Sequence, residues 1–186
     1  LVVSAGAWLG KLIPRLAALA VPERQVLLWA GTRRPELFTP EALPIFLLDA
    51  DEGQFYGFPE YGIPGLKIGC MHHRREVVDP DAWDRDRLEP EDEALLRAAI
   101  SRYLPEADGP TLSLRTCMFT NTPDEHFIID TLPEAPQVVV LSPCSGHGFK
   151  FASVVGEIAA DLALDGGTGH DVSMFGIDRF SGGEMA

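Results

Sequence analysis

The sequence predicts a mixed α/β and α+β fold, with a strand-turn-helix unit at each end and a mainly antiparallel sheet inserted between them. Three observations carry this. Apolar runs at 1–4 and 137–142 each lead into a glycine-bearing turn and then a helical stretch. Between them lie short strand-like runs punctuated by Gly, Pro and Asp. One amphipathic pattern, at 90–103, interrupts those runs.

Taken in order, residues 1–4 read as a buried strand, and Ala5-Gly6-Ala7 turns it into a helix over 8–20 with Pro22 as its stop. Residues 25–30 (QVLLWA) form the next strand, and the turn formers of 31–44 make a loop. Strands at 45–48 and 54–58 pair across the acidic connection 49–53, and 66–70 is a further short strand. Pro90 opens a helix with acids in its first turn, where the helix dipole favours them. Its apolar positions Leu95, Leu96, Ala99, Ile100 and Tyr103 recur at helical spacing, and Pro105 ends it. Strands follow at 111–120, 126–130 and 137–142, then a Ser-Gly-His-Gly turn and a helix over 149–164 closed by Gly166-Gly167. The tail at 170–180 reads as extended. The expected divisions are 1–20, 21–136, 137–165 and a tail 166–186, the outer pieces being what a dinucleotide-binding half-domain contributes.

Composition narrows the function. The 186 residues are 46% hydrophobic and 23% charged, enough apolar material for a real core. A net charge of −13, with acids crowded over 76–108, argues against nucleic acid, whose phosphates need clustered Lys and Arg. No apolar run reaches the length of a membrane span, so no membrane partner is expected. Three widely spaced cysteines suggest no disulfide framework and fit a reducing, cytoplasmic setting. Leu1 starts in what reads as mid-strand, so the natural chain is expected to continue upstream. Cys70, His72, His73 and Cys144 are metal-ligand types, but their spacing matches no zinc pattern and no metal is expected.

Three stretches carry a family likeness. They are Tyr56-Gly57-Phe58-Pro59 with Gly65-Leu66-Lys67-Ile68-Gly69, Cys117-Met118-Phe119-Thr120 with the run 122–130 (TPDEHFIID), and Ser145-Gly146-His147-Gly148-Phe149-Lys150-Phe151. With Ala5-Gly6-Ala7-Trp8 and Asp79-Pro80-Asp81 they resemble, in order, the C-terminal half of the monomeric sarcosine oxidase and N-methyltryptophan oxidase family. The resemblance implies a partial FAD-binding, Rossmann-like domain around an inserted substrate domain. It implies oxidation of N-methyl or cyclic secondary amino acids to imines, with O2 reduced to hydrogen peroxide.

By the same resemblance, Cys117 matches the cysteine in thioether linkage to the flavin 8α carbon, which requires a thiolate and hence nearby positive charge. Arg115, two residues away on the same strand face, is the candidate cation. Lys67 matches the lysine that activates O2, although alternation alone suits solvent as well as a pocket. Lys150 matches a lysine that holds the substrate carboxylate. Gly146 and Gly148 let the backbone approach the flavin. His147 lies beside the flavin or serves the turn. Met118 and Phe149 flank these cofactor-side residues, and Ala5, Gly6 and Trp8 match the late turn of the FAD domain. Tyr56 matches a pocket tyrosine, and Phe119 and Thr120 line the substrate side. His72 or His73 takes the place of a pocket histidine, one residue later than the family spacing.

The GxGxxG turn that receives the FAD pyrophosphate does not occur in this sequence, nor does the family's first carboxylate-binding arginine. The missing N-terminal half is expected to supply both, and residues 1–186 alone are expected to be inactive. Two other readings stand beside this one: a non-catalytic relative acting as a binding module, and a flavoenzyme that passes electrons to a quinone or protein.

Overall fold

The computed structural model describes residues 1–181; the last five residues of the expected tail lie outside the described residues. In chain order the elements are β1 (Val2–Val3), α1 (Leu9–Leu12), β2 (Val21–Ala30), β3 (Phe46–Ala50), β4 (Gly53–Phe58) and β5 (Leu66–Cys70). They continue with α2 (Pro90–Tyr103), β6 (Thr111–Asn121), β7 (Ile128–Leu132), β8 (Ala135–Ser142) and α3 (Ala152–Leu164). Short 3-10 turns link them.

The chain divides into two compact units: Leu1–Pro22 with the chain from Phe119 on, and Glu23–Met118. The sequence pattern placed 119–136 with the middle block. The structure groups them with the ends because β7 pairs antiparallel with β8, and β8 pairs in parallel with β1.

The first unit is built on that three-stranded sheet, in the order β1-β8-β7. Both faces are covered, which is why 138–141 reads as an unbroken apolar run. Ile128 and Val140 face Leu9, Leu16 and Ala20. Ile129, Val139 and Leu141 face Val155, Ile158 and Ala159 of α3.

Two expectations fail in this unit. The helix over 8–20 is broken into a 3-10 turn Gly6–Trp8, the four-residue α1 and a second 3-10 turn Pro14–Leu16. Pro14 is the cause: the residue before a proline is pushed out of helical geometry, and Ile13 sits at φ −127, ψ 85. Pro22, expected to end that helix, lies inside β2. The tail is not extended but coils into 3-10 turns Ser173–Phe175 and Ile177–Phe180. Asp171 accepts the Ser173 N–H (3.0 Å) and Asp130 accepts the Ile177 N–H (2.7 Å).

The second unit holds a five-stranded sheet in the order β3-β4-β5-β2-β6, with α2 on one face. β3 and β4 form a hairpin around Asp51-Glu52, shorter than the expected connection because Asp49 and Ala50 belong to β3. α2 starts as expected, with Pro90 in its first turn and a capping box in which Glu89 and Asp92 accept each other's backbone N–H. Leu96, Ala99 and Ile100 of α2 bury against Val26, Leu28, Phe55, Leu66 and Ile68 of the sheet.

Candidate active site

Alternation along each strand gives the five-stranded sheet two unlike faces. The even positions of β2 and β5 supply the core under α2. The odd positions carry chemistry. In one row across the sheet Phe58 pairs with Lys67 and Lys67 with Trp29; in the next, Tyr56 pairs with Gly69 and Gly69 with Leu27. The Lys67 ammonium lies 4.9 Å from the Phe58 ring and 5.0 Å from the Trp29 ring, so its cross-strand neighbours flank it on both sides. The Tyr56 ring crosses Gly69 so closely that a Cβ there would fall 2.5 Å from the phenol oxygen. Gly69 is therefore needed for the tyrosine to lie flat over β5.

Cys117 of β6 belongs to this same group, since its sulfur acts electrostatically on Tyr56 and the Lys67 charge acts on it. Burial pushes the Cys117 thiol up, and the Lys67 charge opposes that rise. The acting cation is thus Lys67, not the exposed Arg115 that sequence spacing suggested. Burial also raises the Tyr56 phenol, with Cys117 and then Cys70 adding to the shift, so its proton stays on at neutral pH. Met118 is half-buried and follows Cys117 on β6, where alternation turns it to the opposite side. Trp29 and Phe58 were not singled out from sequence. Their signal was their alternation with core residues on strands flanking the lysine.

The two histidines after β5 separate clearly. His73 is fully buried, and its Nε2 lies 3.1 Å from Asp92 Oδ1. His72 is half-buried, and its Nδ1 lies 3.1 Å from Glu23 Oε1 at the head of β2. The turn they occupy is strained: His72, Arg74 and Arg75 have φ of 54, 54 and 50, with no glycine among them. Such positions cost on the order of 1 kcal/mol or more each and persist only where neighbours enforce them.

Those neighbours form a charged node. Arg24, only 1% exposed, grips the fully buried Asp92 with two bonds of 2.9 and 2.6 Å and donates a third to the Arg87 carbonyl (2.8 Å). Arg74 reaches the same Asp92 at 3.1 Å and also Glu89. Although burial opposes its charge, bonds from Arg24, the Glu89 backbone, His73 and Arg74 hold the Asp92 carboxyl well below the usual carboxylate range. This node was missed in the sequence. Its trace is that Asp92 occupies the core-facing stripe of α2, four residues before Leu96, and Arg24 the core-facing stripe of β2, two before Val26.

The first unit carries the remaining candidates. Gly6 takes φ +53 at the start of its 3-10 turn, Ala5 accepts the Trp8 N–H (3.1 Å), and Trp8 is exposed. Phe119 is half-buried at the end of β6. The buried Thr120 carbonyl accepts the Ser145 N–H (2.9 Å), tying that strand end to the glycine turn. Ser145 Oγ in turn accepts the Thr122 N–H (3.3 Å) and donates to the His126 carbonyl (3.2 Å). Ser145 and Gly146 take φ of 47 and 77. A Cβ at Gly148 would overlap the Pro143 carbonyl oxygen, so the turn itself requires this glycine. His147 Nε2 reaches the Glu125 carbonyl (2.9 Å), and its ring stacks on Phe127 at 4.9 Å. Both contacts serve the turn. Phe149 and Lys150 are exposed, the ammonium lying 5.3 Å from the Phe151 ring. Cys144, a free thiol, is pushed up by burial. Among the described residues, no group of three or more His, Cys, Asp or Glu side chains could hold a metal.

A free, half-buried thiol, an ammonium and aromatic rings thus belong to one group on the sheet. The comparisons agree with a flavin family. Residues 1–162 match the family described as DAO, FAD dependent oxidoreductase. The chain is 43% identical over 182 residues to monomeric sarcosine oxidase of Bacillus sp. (strain NS-129), covering 96% of this chain and 47% of that protein. It is 37% identical over 180 residues to N-methyl-L-tryptophan oxidase of Salmonella dublin, covering 96% and 47%. It therefore spans about half the length of the curated relatives it matches. Among solved structures, NikD, an unusual amino acid oxidase, matches with a TM-score of 0.68 at 21% identity over 94% of this chain and 47% of that one. The fructosamine oxidase Amadoriase II of Aspergillus fumigatus matches at 0.71 and 21% over 93% and 43%. These structural matches show the shared fold, and the sequence matches show more: the chain belongs to the DAO family of FAD dependent oxidoreductases.

Proposed function

We propose that the chain is the C-terminal part of a flavin-dependent oxidase that converts N-methyl or cyclic secondary amino acids to imines and reduces O2 to hydrogen peroxide. The observation that carries this reading is the grouping of Cys117, Lys67 and Tyr56 on one face of the five-stranded sheet. Cys117 would hold FAD through a thioether, and the pyrophosphate-binding turn is assigned to sequence upstream of Leu1. Flavin held there would supply two-electron oxidation of the substrate and two-electron reduction of O2. The substrate loses one C–H and one N–H hydrogen, O2 gains two electrons and two protons, and water then splits the imine into an amine and an aldehyde.

The chain's own residues prepare those events. Lys67 sets its ammonium between two aromatic rings, where it would stabilise negative charge developing on O2. Tyr56 keeps its proton and offers a hydroxyl donor on the same face. His72 is oriented by Glu23 and is assigned to the substrate pocket. Lys150 is assigned to the substrate carboxylate, with Phe119 and Thr120 on the substrate side. The turn 145–148, with Met118, Phe149, Ala5, Gly6 and Trp8, is assigned to the cofactor. The unpaired cysteines suit a reducing, cytoplasmic setting.

The test uses the full-length protein. Denatured wild type is expected to retain flavin absorbance, and Cys117→Ser to release it. Lys67→Met is expected to leave flavin reduction by the amino acid intact while slowing reoxidation by O2 roughly 10²–10³-fold. A wild-type protein that forms neither imine nor peroxide overturns the reading.

A further inference from the structure

The turn at 72–75 is held in place from two elements at once. From β2, Glu23 takes His72 Nδ1 at 3.1 Å and the Gln25 side-chain carbonyl accepts the His73 N–H at 3.2 Å. Gln25 also donates to Glu23 (2.7 Å), so the two residues act as one bracket. From α2, Asp92 takes both His73 Nε2 and the Arg74 guanidinium at 3.1 Å. Arg24, beside Gln25 on β2, closes the circuit onto Asp92, and its own N–H bonds the Glu76 carbonyl just past the turn (2.8 Å). Asp92, His73 and Arg24 are all withdrawn from water.

A glycine-bearing turn could reverse the chain here without strain and without buried charge. This chain instead imposes left-handed geometry on three side-chain-bearing residues and secures it with desolvated ionic partners. Strain maintained in this way gives a fixed direction to what the turn carries. Its first residue is His72, five positions after Lys67 and in contact with Glu23. Glu23 belongs to the odd positions of β2, the series that includes Trp29 beside Lys67.

We infer that Asp92 is a positioning residue for the oxidase reaction: it fixes the strained turn through His73 and Arg74, and so sets where His72 stands relative to the bound amino acid. This rests on the functional reading above, in which His72 touches substrate.

The experiment compares full-length holoenzymes: wild type, Asp92→Asn, Gln25→Ala, His72→Asn, and each of the first two combined with His72→Asn. Asp92→Asn preserves size but removes the charge that holds Arg74. Gln25→Ala loosens the same turn from β2 without altering Asp92, and it carries the test should Asp92→Asn fail to fold. Expected for both is a rise in the KM for an N-methyl amino acid of about tenfold or more, since misplaced binding groups act strongly on productive geometry. Reoxidation of the reduced flavin by O2, which depends on Lys67, stays unchanged. Adding His72→Asn to either produces no further rise, because both changes remove the same interaction. A lowered Tm with KM unchanged overturns the positioning role, as do effects that multiply with His72→Asn. Failure of the wild type to form imine overturns the functional reading itself, so the two failures are distinguishable.

Discussion

Two strained turns, one in each unit, are held by opposite means. The turn at 72–75 is locked largely by side-chain charges: Asp92, joined by Arg24 and Arg74, holds the buried His73, and Glu23 holds His72. The turn at 145–148 is locked mainly by backbone: the Thr120 and His126 carbonyls and the Thr122 amide, with the Ser145 hydroxyl and a ring stack of His147 on Phe127. Both place non-glycine residues at positive φ, His72 at 54 and Ser145 at 47. A turn held by buried charge is vulnerable to loss of a partner. A turn held by tight backbone contact is vulnerable to added atoms.

The largest expected effect breaks the first arrangement. Asp92→Ala strands the Arg24 guanidinium, 1% exposed, leaving it the Arg87 carbonyl at 2.8 Å and Glu76 at 3.7 Å. Removing one partner of a buried pair costs about 3–5 kcal/mol. Urea unfolding of the protein is expected to show a loss of that size. A loss under 1 kcal/mol would mean that water or Glu76 replaces Asp92 and that the charged circuit is not what holds the turn.

Gly148→Ala is expected to be next. The new methyl overlaps the Pro143 carbonyl oxygen, a backbone atom that cannot rotate aside. Forcing an atom into a filled site costs typically 1–3 kcal/mol. The comparison sharpens if the reciprocal changes are mild. Gly62→Ala, at φ +72 but with open space around its Cβ, should cost only the backbone strain. Gly148 itself sits at φ −79, so its loss would come from contact alone; a loss no larger than that of Gly62→Ala would show that the Pro143 carbonyl gives way and that close contact does not hold the 145–148 turn.

How far each turn was legible in the sequence follows from the same contrast. The second turn is written in glycines, whose presence signals unusual backbone, and a Ser-Gly-His-Gly string before a helix can be read directly. The first contains His72, His73, Arg74 and Arg75, with no glycine to mark a left-handed turn. Its conformation is imposed by Asp92, 17 to 20 residues downstream, and Gln25, 47 to 50 upstream. Local pattern sufficed for β5 and α2, where alternation and apolar spacing coincide with burial. It failed over 8–20, where the apolar spacing of a helix was outweighed by Pro14, and in the tail, where the Ile177 turn depends on Asp130 in β7. The Lys67 group was half legible. Strand alternation puts Lys67 opposite the core, but the register that flanks it with Trp29 and Phe58 is a property of pairing, not of any one segment.

The smallest expected effect separates the two turns by pH. Burial lowers the His73 pKa below its ordinary 6.5, outweighing the Asp92 bond that pulls the other way; the charges of Arg24 and Arg74 add to the lowering. The unfolded chain therefore takes up a proton at His73 before the folded chain does. Stability from this group is complete above pH 6.5 and declines as pH falls toward the folded value, by at most about 1.4 kcal/mol per pH unit. Asp92 has the same sense at lower pH, its contribution fading below 3.8. The Ser145 amide and hydroxyl are fastened to the Thr120 and His126 carbonyls and the Thr122 amide, none of which titrates in this range. Hydrogen exchange, corrected for intrinsic rates, should thus show the Arg24 and Arg75 amides losing protection between pH 7.5 and 5.5 while the Ser145 amide changes less. His73→Gln should flatten that decline, because no proton is then taken up at this position in either state. A decline of the same slope in His73→Gln would remove His73 as its source and leave the charged turn no more pH-sensitive than the neutral one.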